Sequence, residues 1–274
     1  PTVTAEPLPE VIPTLDEPPA ETVATDAVVD DGVSKGVAES PMKTLPLSDA
    51  PQSAPYANVE IQYDLYVRDN KARAGKASIR YEANTAKRYF IEWTVQATGL
   101  LTLIYSDLKQ TSQGKVTEQG LKPEKYTYQF GSNESKANKA YFDWNNKVVT
   151  LQNKNGEKQE PLEDTTQDVL SFMYQFMYVP PLTNMSMLLT NGKSVSSYNY
   201  EFVGEETLDL DFAEVKTYHI KHGKAGSEDK TELWLALDYQ FLPVKIEKTE
   251  KDGTVIRQIA TAMKTVKEPL QVNY

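Results

Sequence analysis

From Val59 onward, apolar residues recur at every second position. Val59, Ile61, Tyr63, Leu65 and Val67 alternate with Glu60, Gln62, Asp64 and Tyr66, so an extended chain here has one oily face and one wet face. Tyr89, Ile91, Trp93, Val95 and Ala97 repeat the pattern against Glu92, Thr94 and Gln96. Further runs follow at Tyr126, Tyr128 and Phe130, at Ala140, Phe142 and Trp144, and at Tyr198, Tyr200 and Phe202. Later runs are Leu233, Leu235 and Leu237, then Leu242, Val244 and Ile246, then Val255, Ile259 and Met263. Between them lie Asn145-Asn146, Asn155-Gly156, Asn191-Gly192 and Asp252-Gly253, residue types that tolerate the positive φ of tight hairpin turns. The spacing predicts roughly ten to twelve strands joined by short turns. A sheet with one oily face must close, fold over or wrap a helix. The expected fold is therefore all-β and mainly antiparallel, a meander curled into a barrel or half-barrel.

One segment breaks the period of two. "TTQDVLSFMYQFMYVPP", residues 165 to 181, predicts a short helix over about 165–178. Thr165 is its expected N-cap, with Asp168 reaching back in capping-box fashion, and Pro180 and Pro181 end it. At helical spacing Asp168, Ser171 and Gln175 make one thin polar stripe. Val169, Leu170, Phe172, Met173, Phe176 and Met177 cover the rest, joined by Tyr174 and Tyr178. A helix apolar over most of its circumference is buried on several sides, so it is expected to be the plug or lid of the curled sheet.

The chain's first 55 residues have a different composition. All 27 Phe, Tyr and Trp of the chain lie from Tyr56 on, whereas ten of the 16 prolines precede it. Such a segment cannot bury enough apolar area to offset its ordering entropy, and residues 1–55 are expected to be a disordered acidic linker. The domain proper is placed at 56–266, with a C-terminal tail at 267–274. Residues 1–55 hold ten acids against Lys35 and Lys43, a net of −8, and the remainder is nearly balanced at −2. Without a basic footprint, nucleic acid is not an expected partner. There is no cysteine, so disulfide and thiolate chemistry are excluded. No run of about 18 apolar residues would cross a membrane as a helix. The chain begins at Pro1 rather than Met, and an upstream signal or membrane tether is expected.

Catalytic signals are weak. The two histidines, His219 and His222, are three apart and fall on opposite faces of a strand, so they do not form a chelating pair. Asp209 and Asp211 would share a strand face, as paired carboxylates do in hydrolytic sites, although a solvated face is the plainer reading. No nucleophile elbow, phosphate-cradling loop or zinc-protease motif occurs. No metal or cofactor is expected. "ATGLLTLIYS" at 97–106 is the longest apolar run. It is either a strand buried on both faces or, with the Met/Phe helix, the wall of an oily pocket. Met suits adaptable contacts with irregular apolar ligands.

The order of motifs also carries a resemblance. "YDLYVRDNKARAGKASIRYE" (63–82), "VQATGLLTLIYSDLKQTSQG" (95–114), "GLKPEKYTYQF" (120–130), "FDWNNKVVTL" (142–151), "TTQDVLSFMYQF", "YEFVGEETLDL" (200–210) and "ELWLALDYQFLPVKIEKTEKDG" (232–253) succeed one another. The series resembles a bacterial exported family of unknown function, DUF3108, over roughly residues 58–264. "VRDNKARAG" departs from it in being more charged. The resemblance implies a periplasm-facing, β-rich envelope protein of a Gram-negative bacterium and supplies no catalytic residues. The expectation is a non-catalytic periplasmic protein, binding an apolar or amphiphilic ligand such as a lipid inside the curved sheet. Leu100, Leu101, Leu103, Ile104, Phe172, Met173, Phe176 and Met177 are its expected lining. The alternatives are an assembly factor that binds another envelope protein through a sheet edge or the linker, and a hydrolase using Asp209 and Asp211.

Overall fold

The computed structural model describes residues 54–68, 72–98, 107–224 and 229–267. Nearly all of the expected linker, the C-terminal tail beyond Lys267, and Leu100, Leu101, Leu103 and Ile104 lie outside the described residues. In chain order the first strands are β1 (Asn58–Val67), β2 (Gly75–Ala83), β3 (Arg88–Ala97), β4 (Leu108–Thr117) and β5 (Gly120–Phe130). They are followed by β6 (Asn138–Asp143), β7 (Val148–Asn153), β8 (Gly156–Pro161) and the two-residue β9 (Gln167–Asp168). After helix α1 (Val169–Gln175) come β10 (Asn184–Thr190), β11 (Val195–Leu210) and β12 (Ala213–Lys224). The last are β13 (Lys230–Ala236), β14 (Leu242–Thr249) and β15 (Val255–Val266).

These strands form one 15-stranded sheet. Its spatial order runs from β8 back to β1 and then from β15 back to β9, so the N-terminal and C-terminal strands of the domain join two half-meanders. Every pairing is antiparallel except β9 with β10. Three of the four Asn and Gly turn signals fall between consecutive strands, and the fourth, Asn155-Gly156, ends the β7–β8 turn with Gly156 opening β8. The alternation holds where it was clearest: Val59, Ile61, Tyr63, Leu65 and Val67 are all buried, as are Tyr89, Ile91, Trp93 and Val95.

Fifteen strands exceed the expected ten to twelve because several carry no oily alternation. The inward positions of β4 include Gln110 and Ser112, both fully buried, and β8 buries none of its side chains. One run lies on the other face: in β15 the buried positions are Ile256, Gln258 and Ala260 rather than Val255, Ile259 and Met263. In β5 Tyr126 and Tyr128 are buried as expected, and only Phe130 at the strand's end is 43% exposed.

The sheet curls around α1, which touches β3, β4, β5 and β14 as well as β9 and β10. Val169, Leu170, Ser171, Phe172, Met173 and Tyr174 are all buried, and so are Phe176 and Met177 just beyond. Burial of a Phe or Met side chain contributes about 1.5–3 kcal/mol, so this short helix is fixed by packing rather than by propensity. Tyr81 stacks on Tyr174 at 5.7 Å between ring centroids, and its hydroxyl pairs with that of Tyr178. The helix is shorter than the expected 165–178 and is capped one turn later. Asp168, not Thr165, is the N-cap, because Gln167 and Asp168 are first taken up as β9 against Leu189 and Thr190.

The two ends of the sheet come round to meet each other. The Val195 N–H at the start of β11 donates to the Glu160 carboxylate on β8 at 3.2 Å. Gly192 lies so close to Asn138 on β6 that a Cβ there would sit 3.0 Å from its carbonyl carbon. Among the described residues this seam is made by side chains and close packing, not by a backbone ladder.

Candidate binding cleft beside the buried helix

Residues 162–187 carry the site, and a buried polar cluster anchors them. The Asp168 carboxylate accepts from the N–H groups of Leu170 at 2.9 Å and Ser171 at 2.8 Å, while the Asp168 N–H donates to Ser171 Oγ at 3.0 Å. Its other oxygen accepts from Ser112 Oγ on β4 at 2.6 Å, and Ser112 is within 3.0 Å of the Tyr89 hydroxyl. Beside it Tyr126 donates to Gln110 Oε1 at 2.6 Å. Burial pushes the Asp168 carboxyl up from its ordinary 3.8 to about 6, and the Ser112 and backbone bonds offset that only in part. Burial, together with the Asp168 charge, raises the hydroxyls of Tyr89 and Tyr126 as well.

The C-terminal end of α1 is clipped to the β4–β5 turn. Gln175 Oε1 accepts from the Leu121 N–H at 2.6 Å, and Gln175 Nε2 donates to the Gln119 carbonyl at 2.8 Å. Gly120 between them has φ +97°, and a Cβ there would lie 2.5 Å from the Gln175 amide. Only glycine meets both conditions. Gln167 Nε2 adds a bond to the Leu121 carbonyl at 2.9 Å.

Where the curled sheet fails to close over this segment it leaves a cleft of about 550 Å³. Its apolar wall is built by Phe172 and Phe176 of α1, Leu121 of β5, Trp144 of the β6–β7 turn, Met185 and Met187 of β10, and Val179, Pro180 and Leu182. Thr117, Gln119, Lys122, Asp164, Thr165, Gln167 and Gln175 supply its polar groups. Lys122 Nζ lies 4.6 Å from the centroid of the Trp144 ring, a cation–π placement, and Trp144 Nε1 donates to the Pro123 carbonyl at 2.6 Å. Asp164 is ion-paired with Lys147. That bond, with Lys122 at longer range, holds its carboxyl below the usual range. An apolar wall with a few polar groups at its edge, in the size range of small-ligand sites, suits an oily or amphiphilic guest.

Of the helix residues expected to line a pocket, Phe172 and Phe176 face this cleft; Met173 and Met177 are buried and do not line it. Trp144, Met185, Met187 and Lys122 were not expected there. They come from distant parts of the meander, and only the curl brings them together. The histidines lie on opposite faces, as expected. His222 is inside, edge-on to Phe172 and Tyr198 at 5.0 and 5.9 Å; burial pushes it down to about 4, and its Nδ1 has no hydrogen-bond partner among the described residues. His219 is on the other face but also buried, stacked on Trp234 at 4.1 Å, with Nδ1 2.8 Å from Glu206 and Nε2 2.7 Å from Glu232. Asp209 and Asp211 are exposed at the β11–β12 turn and do not line the cleft. Among the described residues no cluster of His, Cys, Asp and Glu could hold a metal, and no helix is long and apolar enough to cross a membrane.

The profile of the family described as "Protein of unknown function (DUF3108)" matches residues 62–261. No curated protein matches the chain. Among solved structures, a β-barrel-like protein of domain of unknown function DUF1849 from Brucella abortus is 8% identical, with 78% of this chain and 100% of that one covered and a TM-score of 0.42. A "putative lipoprotein" from Parabacteroides distasonis is 10% identical, with 78% and 97% covered and a TM-score of 0.34.

Proposed function

The chain belongs to the DUF3108 family, and we propose that it is a non-catalytic cell-envelope protein that holds an apolar or amphiphilic ligand, such as a lipid, in the cleft beside α1. The observation that carries this reading is a cleft of about 550 Å³ whose apolar wall includes Phe172, Phe176, Met185 and Met187. Adaptable Met and aromatic side chains accept chains of varied shape. The acidic, Pro-rich composition of residues 1–55 supports a spacer role. Support for catalysis is thin: neither the two histidines nor Asp209 and Asp211 line the cleft.

The assembly-factor alternative would use the linker or a free sheet edge, and only the edge can be weighed on the described residues. Strand β8 is exposed, but it is six residues long, carries Glu157, Lys158 and Glu160, and ends in Pro161. These are features that discourage strand addition, so the ligand reading is favoured. The test is native mass spectrometry of the full chain purified from cells, with displacement of an apolar fluorophore as a second readout. Co-purifying lipid, lost on Phe172→Asp, supports the proposal. A protein that carries no lipid and binds no fluorophore overturns it.

A further inference from the structure

The charges around the cleft are unequal in one respect. Among the described residues Lys122 has no carboxylate ion-pair partner, whereas Asp164, the acidic residue of the lining, is taken by Lys147. Of the amides nearby, Gln175 is committed to Gln119 and Leu121 and Gln167 Nε2 to Leu121, while Gln167 Oε1 has no hydrogen-bond partner among the described residues. The charged group of the lining left without an ion-pair partner is therefore the ammonium of half-buried Lys122, resting on the face of Trp144. Beyond it, inside the cleft, lie Phe172, Phe176 and Met187.

A cation backed by an indole ring and an apolar wall sits in a medium less polar than water, where attraction to an anion is strengthened. A carboxylate or phosphate oxygen would take a charge-assisted hydrogen bond from Lys122, and an alkyl tail attached to it would bury against the rings and thioethers. A neutral head would leave the ammonium to solvent, and a cationic head would be repelled.

We infer that the cleft selects a single-chain amphiphile with an anionic head, a carboxylate or a phosphate, its head at Lys122 and its tail along Phe172, Phe176 and Met187. This rests on the ligand-binding reading above and adds the charge of the head.

The full chain, wild type and Lys122→Gln and Lys122→Arg, is titrated by calorimetry and tryptophan fluorescence with hexadecanoate, hexadecyl phosphate, hexadecanol and inorganic phosphate below micellar concentrations. The expected result is at least tenfold tighter binding of the two anionic amphiphiles than of the alcohol. Lys122→Gln removes that preference without weakening the alcohol, Lys122→Arg keeps it, and added salt reduces it. If the alcohol binds as tightly as the acid, or Lys122→Gln leaves the preference intact, the head-group assignment is overturned while the ligand reading stands. Inorganic phosphate binding as tightly as hexadecyl phosphate also overturns it, in favour of a bare anion site. No binding of any chain by the wild type overturns both.

Discussion

Ser112 Oγ in β4 donates to the Asp168 carboxylate at 2.6 Å, so the N-cap of α1 is bonded to the wall of the sheet that surrounds it. Capping bonds are usually local. This one has a third partner 56 positions away in sequence, and it fixes both the start of the helix and its position in the interior.

The first prediction concerns this pair. Ser112→Ala leaves a buried carboxylate oxygen and the Tyr89 hydroxyl each short of a partner, at an expected cost of about 1–3 kcal/mol. A double-mutant cycle with Asp168→Asn should give a coupling of about 0.5–3 kcal/mol by denaturant unfolding. Strict additivity would mean that the two side chains do not act as a unit.

A second prediction follows from two buried groups that titrate in opposite senses. The Asp168 carboxyl is raised to about 6, so its contribution is fully present below its unfolded value of 3.8 and is lost as pH rises through 6. His222 is lowered to about 4, so its contribution is present above 6.5 and is lost as pH falls through 4. Each is worth on the order of 3 kcal/mol, and between pH 4 and 6 they offset one another. Relative to wild type, Asp168→Asn should lose stability as pH falls across that window, and His222→Leu should lose it as pH rises. Denaturation midpoints measured at half-unit pH steps check this, and parallel profiles for the three proteins would refute it.

Met173 and Phe176 separate packing from binding. Met173 is 4% exposed and away from the cleft, so Met173→Ala should cost about 2–5 kcal/mol and leave fluorophore affinity within twofold once the protein is folded. Phe176→Ala removes part of the wall and should weaken both. Equal loss of affinity in the two variants would show that the guest lies deeper than the cleft.

Gly120→Ala meets a positive φ and the Gln175 amide at once, and a cost of about 1–3 kcal/mol is expected from the backbone alone. Because the turn would be pushed off the helix end, amide exchange at Leu121, whose N–H bonds to Gln175, should speed up in the variant. Unchanged protection there would place the strain elsewhere.

How far the sequence reveals this fold depends on where each residue's partners come from. Strands β1 and β3 are legible from their own residues because oily and wet positions alternate. Strand β4 is not, since Gln110 and Ser112 make sense inside only with Tyr126 and Asp168 beside them. The helix announces its buried character through Phe172, Met173, Phe176 and Met177, yet its first turn is misplaced because Asp168 serves both a strand and a cap. Phe172 and Phe176 are half-legible as part of the cleft wall. Trp144, Met185 and Met187 are not, because nothing local links a turn between β6 and β7 to a strand more than 40 residues later.

The seam between Glu160 and Val195 bears on how such a chain can diverge. In a barrel sealed by hydrogen-bonded neighbours, girth, slant and stagger are mutually fixed, so a gained or lost hairpin must be accommodated all the way round. Here the circumference is finished by one carboxylate and a glycine contact. A change of length in β8, the strand at that edge, would therefore be felt at this seam and not all the way round, so the girth of the enclosure is free to vary there while the plug keeps its seat.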